Sequence, residues 1–286
     1  MARPGKRGTV RNALIDARSA LKDARIWSGW LDAEVLLAHV MSQERSWLHA
    51  HPEHPLTATQ RRRFRDLVSR RGAYAPVAYL IGEREFYGHT LRVSPAVLIP
   101  RPDTELLVEQ AIAWLRDHPH ARRVIDLGTG SGAIAIVIAR GAPSVRVVAI
   151  DTDPRALRLA AVNVAEQRVA ARVRLKRGDL LRGASPADLI TANLPYLSAA
   201  QLRSGGPELE YEPRRALDGG KDGLDVIRRA IEQAPAVIRP GGCLLFECDP
   251  RQARRIEQLA QKTWPSPTVT IHKDLAGRDR VVRIEV

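Results

Sequence analysis

The stretch Val124-Ile125-Asp126-Leu127-Gly128-Thr129-Gly130-Ser131-Gly132-Ala133-Ile134 decides the fold. A short run with the composition of a buried strand passes into three alternating glycines, and an apolar helical segment over residues 134–139 follows. Glycines at such a turn let the backbone approach a ligand closely and let the helix N-terminus point at it. Toward the C-terminus the alternation continues. Strands are predicted at 145–150, 173–175, 188–192, 243–248, 269–271 and 281–286, with helices at 154–167, 226–238 and 251–262. This order implies an α/β fold with a doubly wound sheet and helices on both faces.

Toward the N-terminus the period changes. Val10, Leu14, Ala17, Leu21 and Ala24 recur at three- and four-residue steps and predict one helix; Leu31, Val35, Leu36, Ala38 and His39 give the inner face of a second. Thr57 followed by Gln60 has capping-box spacing, and Phe64, Leu67 and Val68 supply the apolar face of a third helix. Its outer face is read as Arg61, Arg62, Arg63, Arg65, Arg70 and Arg71, either a solvated face or a docking surface for an acidic partner or RNA. Between Tyr74 and Pro102, turn signals and short β-like stretches, Ala78 to Gly82 among them, predict a small hairpin. Asp103 or Thr104 then caps a further helix. The expected division is a helical domain at 1–73, a hairpin linker at 74–102 and an α/β domain at 103–286.

The chain has 286 residues, with Lys+Arg 45 against Asp+Glu 32, a net charge of +13 that makes an acidic or phosphate-bearing partner worth considering. Hydrophobic residues at 44% argue against wholesale disorder. The two cysteines, Cys243 and Cys248, lie five steps apart on one predicted strand and face opposite ways, which fits a reducing cytosol better than a disulfide. The charged residues 1–8 are followed by no apolar signal-peptide core, and no run reaches membrane-spanning length, so a cytoplasmic protein is expected. His49, His51 and His54 cluster without a cysteine and read as a polar loop, so no metal is expected.

A Gly-x-Gly-x-Gly loop alone is shared with tight structural turns and nicotinamide-cofactor loops. Two acids move the balance. Asp126, before the glycines, would repel a pyrophosphate but suits the ammonium of S-adenosylmethionine (SAM); Asp151, ending the next strand, is placed to accept from both ribose hydroxyls. The cofactor site is therefore read as Asp126, Gly128, Thr129, Gly130, Ser131, Gly132 and Asp151, with Asp179 for the adenine amine, Leu180 against its ring, and Asn193. The fourth strand ends in Asn193-Leu194-Pro195-Tyr196, where a methyl acceptor should lie, and these four are the expected catalytic and substrate-binding residues.

The order Gly-x-Gly-x-Gly, Asp151, Gly178-Asp179 and Asn-x-Pro-Tyr resembles the amino methyltransferases. Four further stretches resemble the HemK/PrmC family of peptide chain release factor N5-glutamine methyltransferases: Arg84 to Gly88, Val97-Leu98-Ile99-Pro100-Arg101-Pro102-Asp103-Thr104-Glu105, Glu212-Pro213 through Leu224, and Lys273 to Arg280. The likeness implies a Rossmann-like class I SAM-dependent methyltransferase with a mostly parallel seven-stranded sheet and a small N-terminal helical bundle that docks the substrate. It implies a monomer acting on the glutamine of a release factor's Gly-Gly-Gln loop, with at most incidental RNA contact. A glutamine methyltransferase of a ribosomal protein and an rRNA or DNA adenine N6-methyltransferase are the alternative readings. Two positions depart from the pattern: Leu194 replaces the first proline of Asn-Pro-Pro-Tyr, and Asp249 stands where the family tends to have glycine.

Overall fold

In the computed structural model, which describes residues 8–286, the chain separates in sequence into a helical unit ending at Gly82 and an α/β unit beginning at Glu83. Residues 1–7, most of the charged stretch read above for a targeting signal, lie outside the described residues.

The helical unit contains α1 (Val10–Asp23), α2 (Gly29–Met41), α3 (Arg45–Ala50), α4 (Ala58–Gly72) and α5 (Val77–Ile81). Thr57 and Gln60 form the capping box that their spacing predicts, closing the N-terminus of α4. The core joins Val10, Leu14, Ala17 and Leu21 of α1 to Phe64, Leu67 and Val68 of α4, with α2 between them. Because α2 is covered on most sides, its deepest residues are Ala33, Leu36 and Leu37, while Leu31, Val35 and His39 are only partly buried. Arg71 is not on the outer face of α4: it is buried, and its Nε donates to Asp32 at 2.7 Å. The stretch Ala78 to Gly82, expected to be β-like, instead lies in and caps the single turn α5, which starts after Pro76 and stops where Gly82 takes φ +83°. The loop histidines are held locally, His51 stacked on Trp47 at 4.2 Å and His49 beside the buried Glu34 at 3.4 Å.

The second unit opens with an antiparallel hairpin, β1 (Glu83–Phe86) and β2 (His89–Arg92), which belongs to this unit rather than standing apart as a linker. Then come α6 (Thr104–Asp117), β3 (Arg123–Leu127), α7 (Ala133–Gly141), β4 (Arg146–Asp151), α8 (Pro154–Glu166), β5 (Val173–Arg177) and β6 (Ala187–Ala192). After β6 follow α9 (Ala199–Ser204), α10 (Asp225–Gln233), β7 (Ile238–Glu247), α11 (Ala253–Thr263), β8 (Thr268–Lys273) and β9 (Asp279–Glu285). The predicted helix over 226–238 stops at Gln233, because Ala234-Pro235-Ala236 tightens into a 3-10 turn and β7 starts at Ile238.

The seven strands lie in the order β5-β4-β3-β6-β7-β9-β8, parallel except that β9 runs antiparallel to both neighbours. Alternate residues serve opposite faces. Val124, Leu189, Cys243 and Leu245 pack toward α6 and α7; Ile125, Ile190, Leu244, Phe246 and Cys248 pack toward α10 and α11. The two cysteines are free and lie on opposite sides, as their spacing predicts. Strand order reverses between β3 and β6, and at such a point the loops beyond the carboxyl ends part to leave a crevice.

Candidate active site

A cavity of 260 Å³ opens in that crevice. The glycine loop forms one wall. Gly128 has φ +67°, and a Cβ there would come within 3.2 Å of the Leu194 side chain, so only glycine leaves the cavity clear. Thr129 N donates to Ile150 O at 3.0 Å and Gly130 N to the Asp151 carboxylate at 2.9 Å, which ties the loop to the end of β4. The other Asp151 oxygen accepts from Asp153 N at 2.9 Å. Burial raises the Asp151 pKa, against the pull of Gly130 N–H and Arg215. Each Asp151 oxygen keeps lone-pair capacity for a diol.

Gly128, Thr129, Gly130, Ser131, Asp151, Asp179, Leu180, Asn193, Leu194 and Pro195 all line the cavity; three residues expected there do not. Asp126 is 0% exposed and sits beneath the loop, its two oxygens accepting from the hydroxyls of Thr129 at 2.6 Å and Thr191 at 3.1 Å. Register explains this, since Asp126 pairs with Thr191 across β3 and β6 and both point to the α6–α7 face. With both oxygens so taken and the residue absent from the lining, the expected contact with an ammonium group is corrected to an inward pair of hydroxyl bonds, and burial pushes the carboxyl up to about 7. Gly132 faces away, and a Cβ there would meet Ile136 and Ala160 rather than the cavity. Tyr196 does not wall the cavity; its hydroxyl donates to Glu247 at 3.3 Å behind it.

Several residues of the site carried no expectation of such a role. Asp103, one of the two residues expected to cap α6, does take the N-cap position, but its side chain makes no capping hydrogen bond. Asp103 pairs with Arg280 at 3.1 Å, and Thr104 accepts from Asn193 Nδ2 at 3.1 Å. Glu212, in the segment after α9, accepts from Ile99 N at 3.2 Å and pairs with Arg101, joining two cavity-lining stretches. Arg215 pairs with the buried Asp153, and Arg229 holds Asp179 at 2.5 Å. Asn163 on α8 accepts from Arg92 N at 2.7 Å and donates to Ser131 O at 2.8 Å, clamping the hairpin to the glycine loop. Thr104, Glu212 and Arg215 lie in stretches that carry the family resemblance; no sequence pattern marks Arg229 or Asn163.

The donor set fits SAM. If SAM binds here, Asp151 would offer a carboxylate to its ribose hydroxyls and Ile150, Leu180 and Val226 an apolar slot for its adenine, while the glycine wall stays free of side chains. Leu180 reaches the slot with φ +54°, a strained backbone of the kind found at ligand sites.

The sheet order, glycine loop and strand-end acids define a methyltransferase, and S-adenosylmethionine is its methyl donor. The PrmC N-terminal domain family matches residues 12–82, and the methyltransferase small domain family matches residues 102–205. Among relatives, the release factor glutamine methyltransferase of Bordetella pertussis is 42% identical over 88% of this chain and 93% of its own length. That of Geobacter sulfurreducens is 39% identical over 96% and 95%. The chain belongs to the release factor glutamine methyltransferase family. Solved structures agree on the fold: a methyltransferase from Pyrococcus furiosus has a TM-score of 0.50 at 19% identity, covering 70% of this chain and 89% of that one. The hMettl16 catalytic domain, in complex with MAT2A 3'UTR hairpin 6, has a TM-score of 0.57 at 14% identity, covering 87% and 91%. Among the described residues no helix is long and apolar enough to cross a membrane.

Proposed function

We propose that this protein transfers the methyl group of SAM to the side-chain amide nitrogen (N5) of the glutamine in the Gly-Gly-Gln loop of a peptide chain release factor, and so modulates translation termination. The observation that carries this reading is Asn193 at the end of β6. Its Nδ2 is committed to Thr104, Oδ1 accepts no hydrogen bond among the described residues, and the residue lines the cavity. An amide nitrogen is a weak nucleophile because its lone pair is delocalised, and two acceptors holding both N–H groups turn that pair toward the methyl group. Asn193 Oδ1 and the Leu194 carbonyl supply the two acceptors. Leucine carries the same carbonyl as the usual proline, so the substitution leaves this function in place.

SAM supplies a methyl group made electrophilic by its sulfonium sulfur. On transfer the S–CH3 electron pair would stay with sulfur as the amide nitrogen takes the methyl and then sheds one proton. Asp151 would hold the ribose, Asp179 and Leu180 would hold the adenine, and Pro195 fixes the turn that presents the Leu194 carbonyl. Orientation of this kind is worth at best about 7–11 kcal/mol of barrier, and fixed dipoles facing the developing charge on nitrogen add to it.

The helical unit docks the rest of the release factor. Its exposed arginines on α4 form the docking face, with incidental RNA contact, in a cytoplasmic monomer. The test is incubation with labelled SAM and, separately, a purified release factor, the same factor with its loop glutamine changed to alanine, ribosomal proteins and RNA. Label is expected in the unaltered factor alone. Label in RNA or ribosomal protein, or persisting in the loop variant, overturns the reading.

A further inference from the structure

Four large apolar or aromatic side chains stand exposed among the described residues of the α/β unit: Tyr87, Val162, Tyr211 and Leu275. Three of the four belong to segments tied to one short stretch, Arg101 to Glu105, at the start of α6. Tyr87 N donates to the Glu105 carboxylate at 3.0 Å. Tyr211 precedes Glu212, whose carboxylate pairs with Arg101. Leu275 lies in the turn between β8 and β9, where Arg280 meets Asp103 at 3.1 Å and Arg278 approaches the same carboxylate at 3.9 Å. Thr104, inside this stretch, accepts from Asn193 Nδ2 at 3.1 Å, so the stretch that carries the three is bonded to the candidate acceptor turn. Strand topology agrees: Val281 pairs with Glu247, which sends the β8–β9 turn beyond the carboxyl end of β7, the end at which Asn193 leaves β6.

The exposed positions are built, not left over. Asp274 accepts from Ala276 N at 2.9 Å and from Arg278 N at 3.0 Å, which fixes the β8–β9 turn with Leu275 fully exposed at its tip. Tyr87 holds φ +50° in the β1–β2 turn, a backbone region that bulky side chains rarely adopt. The charges of the β8–β9 turn are spent on one another, Lys273 on Asp279 at 3.2 Å and Arg278 on Asp274 at 2.9 Å, so what its tip offers a partner is the leucine. Single exposed apolar residues are ordinary, but a group of them gathered around one stretch marks a protein contact. A nucleic acid would instead call for cations left over to neutralise phosphates.

We propose that Tyr87, Tyr211 and Leu275 form an apolar rim that receives the part of the release factor bordering its Gly-Gly-Gln loop, through an apolar patch on that protein. This rests on the proposed glutamine methylation, and it adds an apolar contact in the α/β unit to the arginines of α4.

The test uses the full chain, labelled SAM and a purified release factor. Kd for the factor is measured separately by titration calorimetry with S-adenosylhomocysteine, which has no methyl group to transfer. Leu275→Ser alters a fully exposed side chain, so folding is not at stake. KM and Kd for the factor are expected to rise about tenfold, the worth of burying part of one leucine, while kcat and Kd for SAM stay within about twofold. Leu275→Met should restore most of the affinity, and adding Tyr211→Ser to Leu275→Ser should weaken it further. The loss should persist at high salt, because no charge is removed. Val162→Ser, on α8, is the control and should leave KM within about twofold. An unchanged KM and Kd in Leu275→Ser, an equal rise in Val162→Ser, or a loss confined to RNA binding overturns the rim. If the unaltered chain binds the factor but transfers nothing, the functional reading falls, and a raised Kd in Leu275→Ser still supports the rim.

Discussion

The Glu212 carboxylate accepts the backbone N–H of Ile99 at 3.2 Å, joining segments more than a hundred residues apart at the rim of the cofactor cavity. Glu212 is buried, and burial raises its pKa against the attraction of Arg101. Glu212→Ala would leave the Ile99 N–H unpaired and Arg101 without its partner. The expected cost is about 1–3 kcal/mol of stability, together with weaker SAM binding, read by denaturant unfolding and titration calorimetry. Unchanged SAM affinity would show that the two segments hold their places without this bond.

Asp126 predicts a pH-dependent stability. Its folded pKa of about 7 lies above the usual 3.8, so the folded state holds a proton that the unfolded chain has already released. Its contribution is most favourable below about pH 4, is lost as the pH rises to 7, and is constant above that. Asp126→Asn imitates the protonated form. The variant should match the unaltered chain at pH 4 and exceed it by about 2–4 kcal/mol at pH 8. A stability difference that stays the same across that range would contradict the assignment.

Asn163 is fully buried and bonds Arg92 N, Arg92 O and Ser131 O through one amide. Asn163→Ala strands all three backbone groups. A loss of about 2–4 kcal/mol is expected, with faster hydrogen exchange at the Arg92 amide than at the strand centres. Exchange that speeds up equally everywhere would point to global destabilisation without a local clamp.

Asn193→Ala separates binding from chemistry. Methyl transfer to the release factor should drop below detection, while SAM affinity changes by no more than about fivefold, the worth of one ordinary hydrogen bond. Residual transfer close to the wild-type rate would exclude Asn193 as the acceptor of the substrate amide.

The sheet was readable because each central strand is an apolar run punctuated by glycine or acid, as in Val124 to Leu127 and Leu189 to Ala192. Two kinds of detail were not. Short elements such as α5 and α9 bury too few residues to leave a period, and their ends depend on single residues such as Gly82. The side chains that shape the site also pair across long sequence distances, as Thr104 does with Asn193 and Arg229 with Asp179. Asp126 shows the remaining limit: its residue type suggests a ligand contact, but which way it faces is set by the register of β3 against β6, and that turns it inward.

The place of β7 between β6 and β9 has a consequence for synthesis. Until residues 238–247 leave the ribosome, β6 is the open margin of a half-built sheet, and its Leu189-Ile190-Thr191-Ala192 has unpaired backbone on that side. Apolar strand edges of this kind recruit other chains. A nascent chain stalled before Ile238 is therefore exposed to aggregation, and it passes that stage with the residues of its proposed methyl-acceptor site already made.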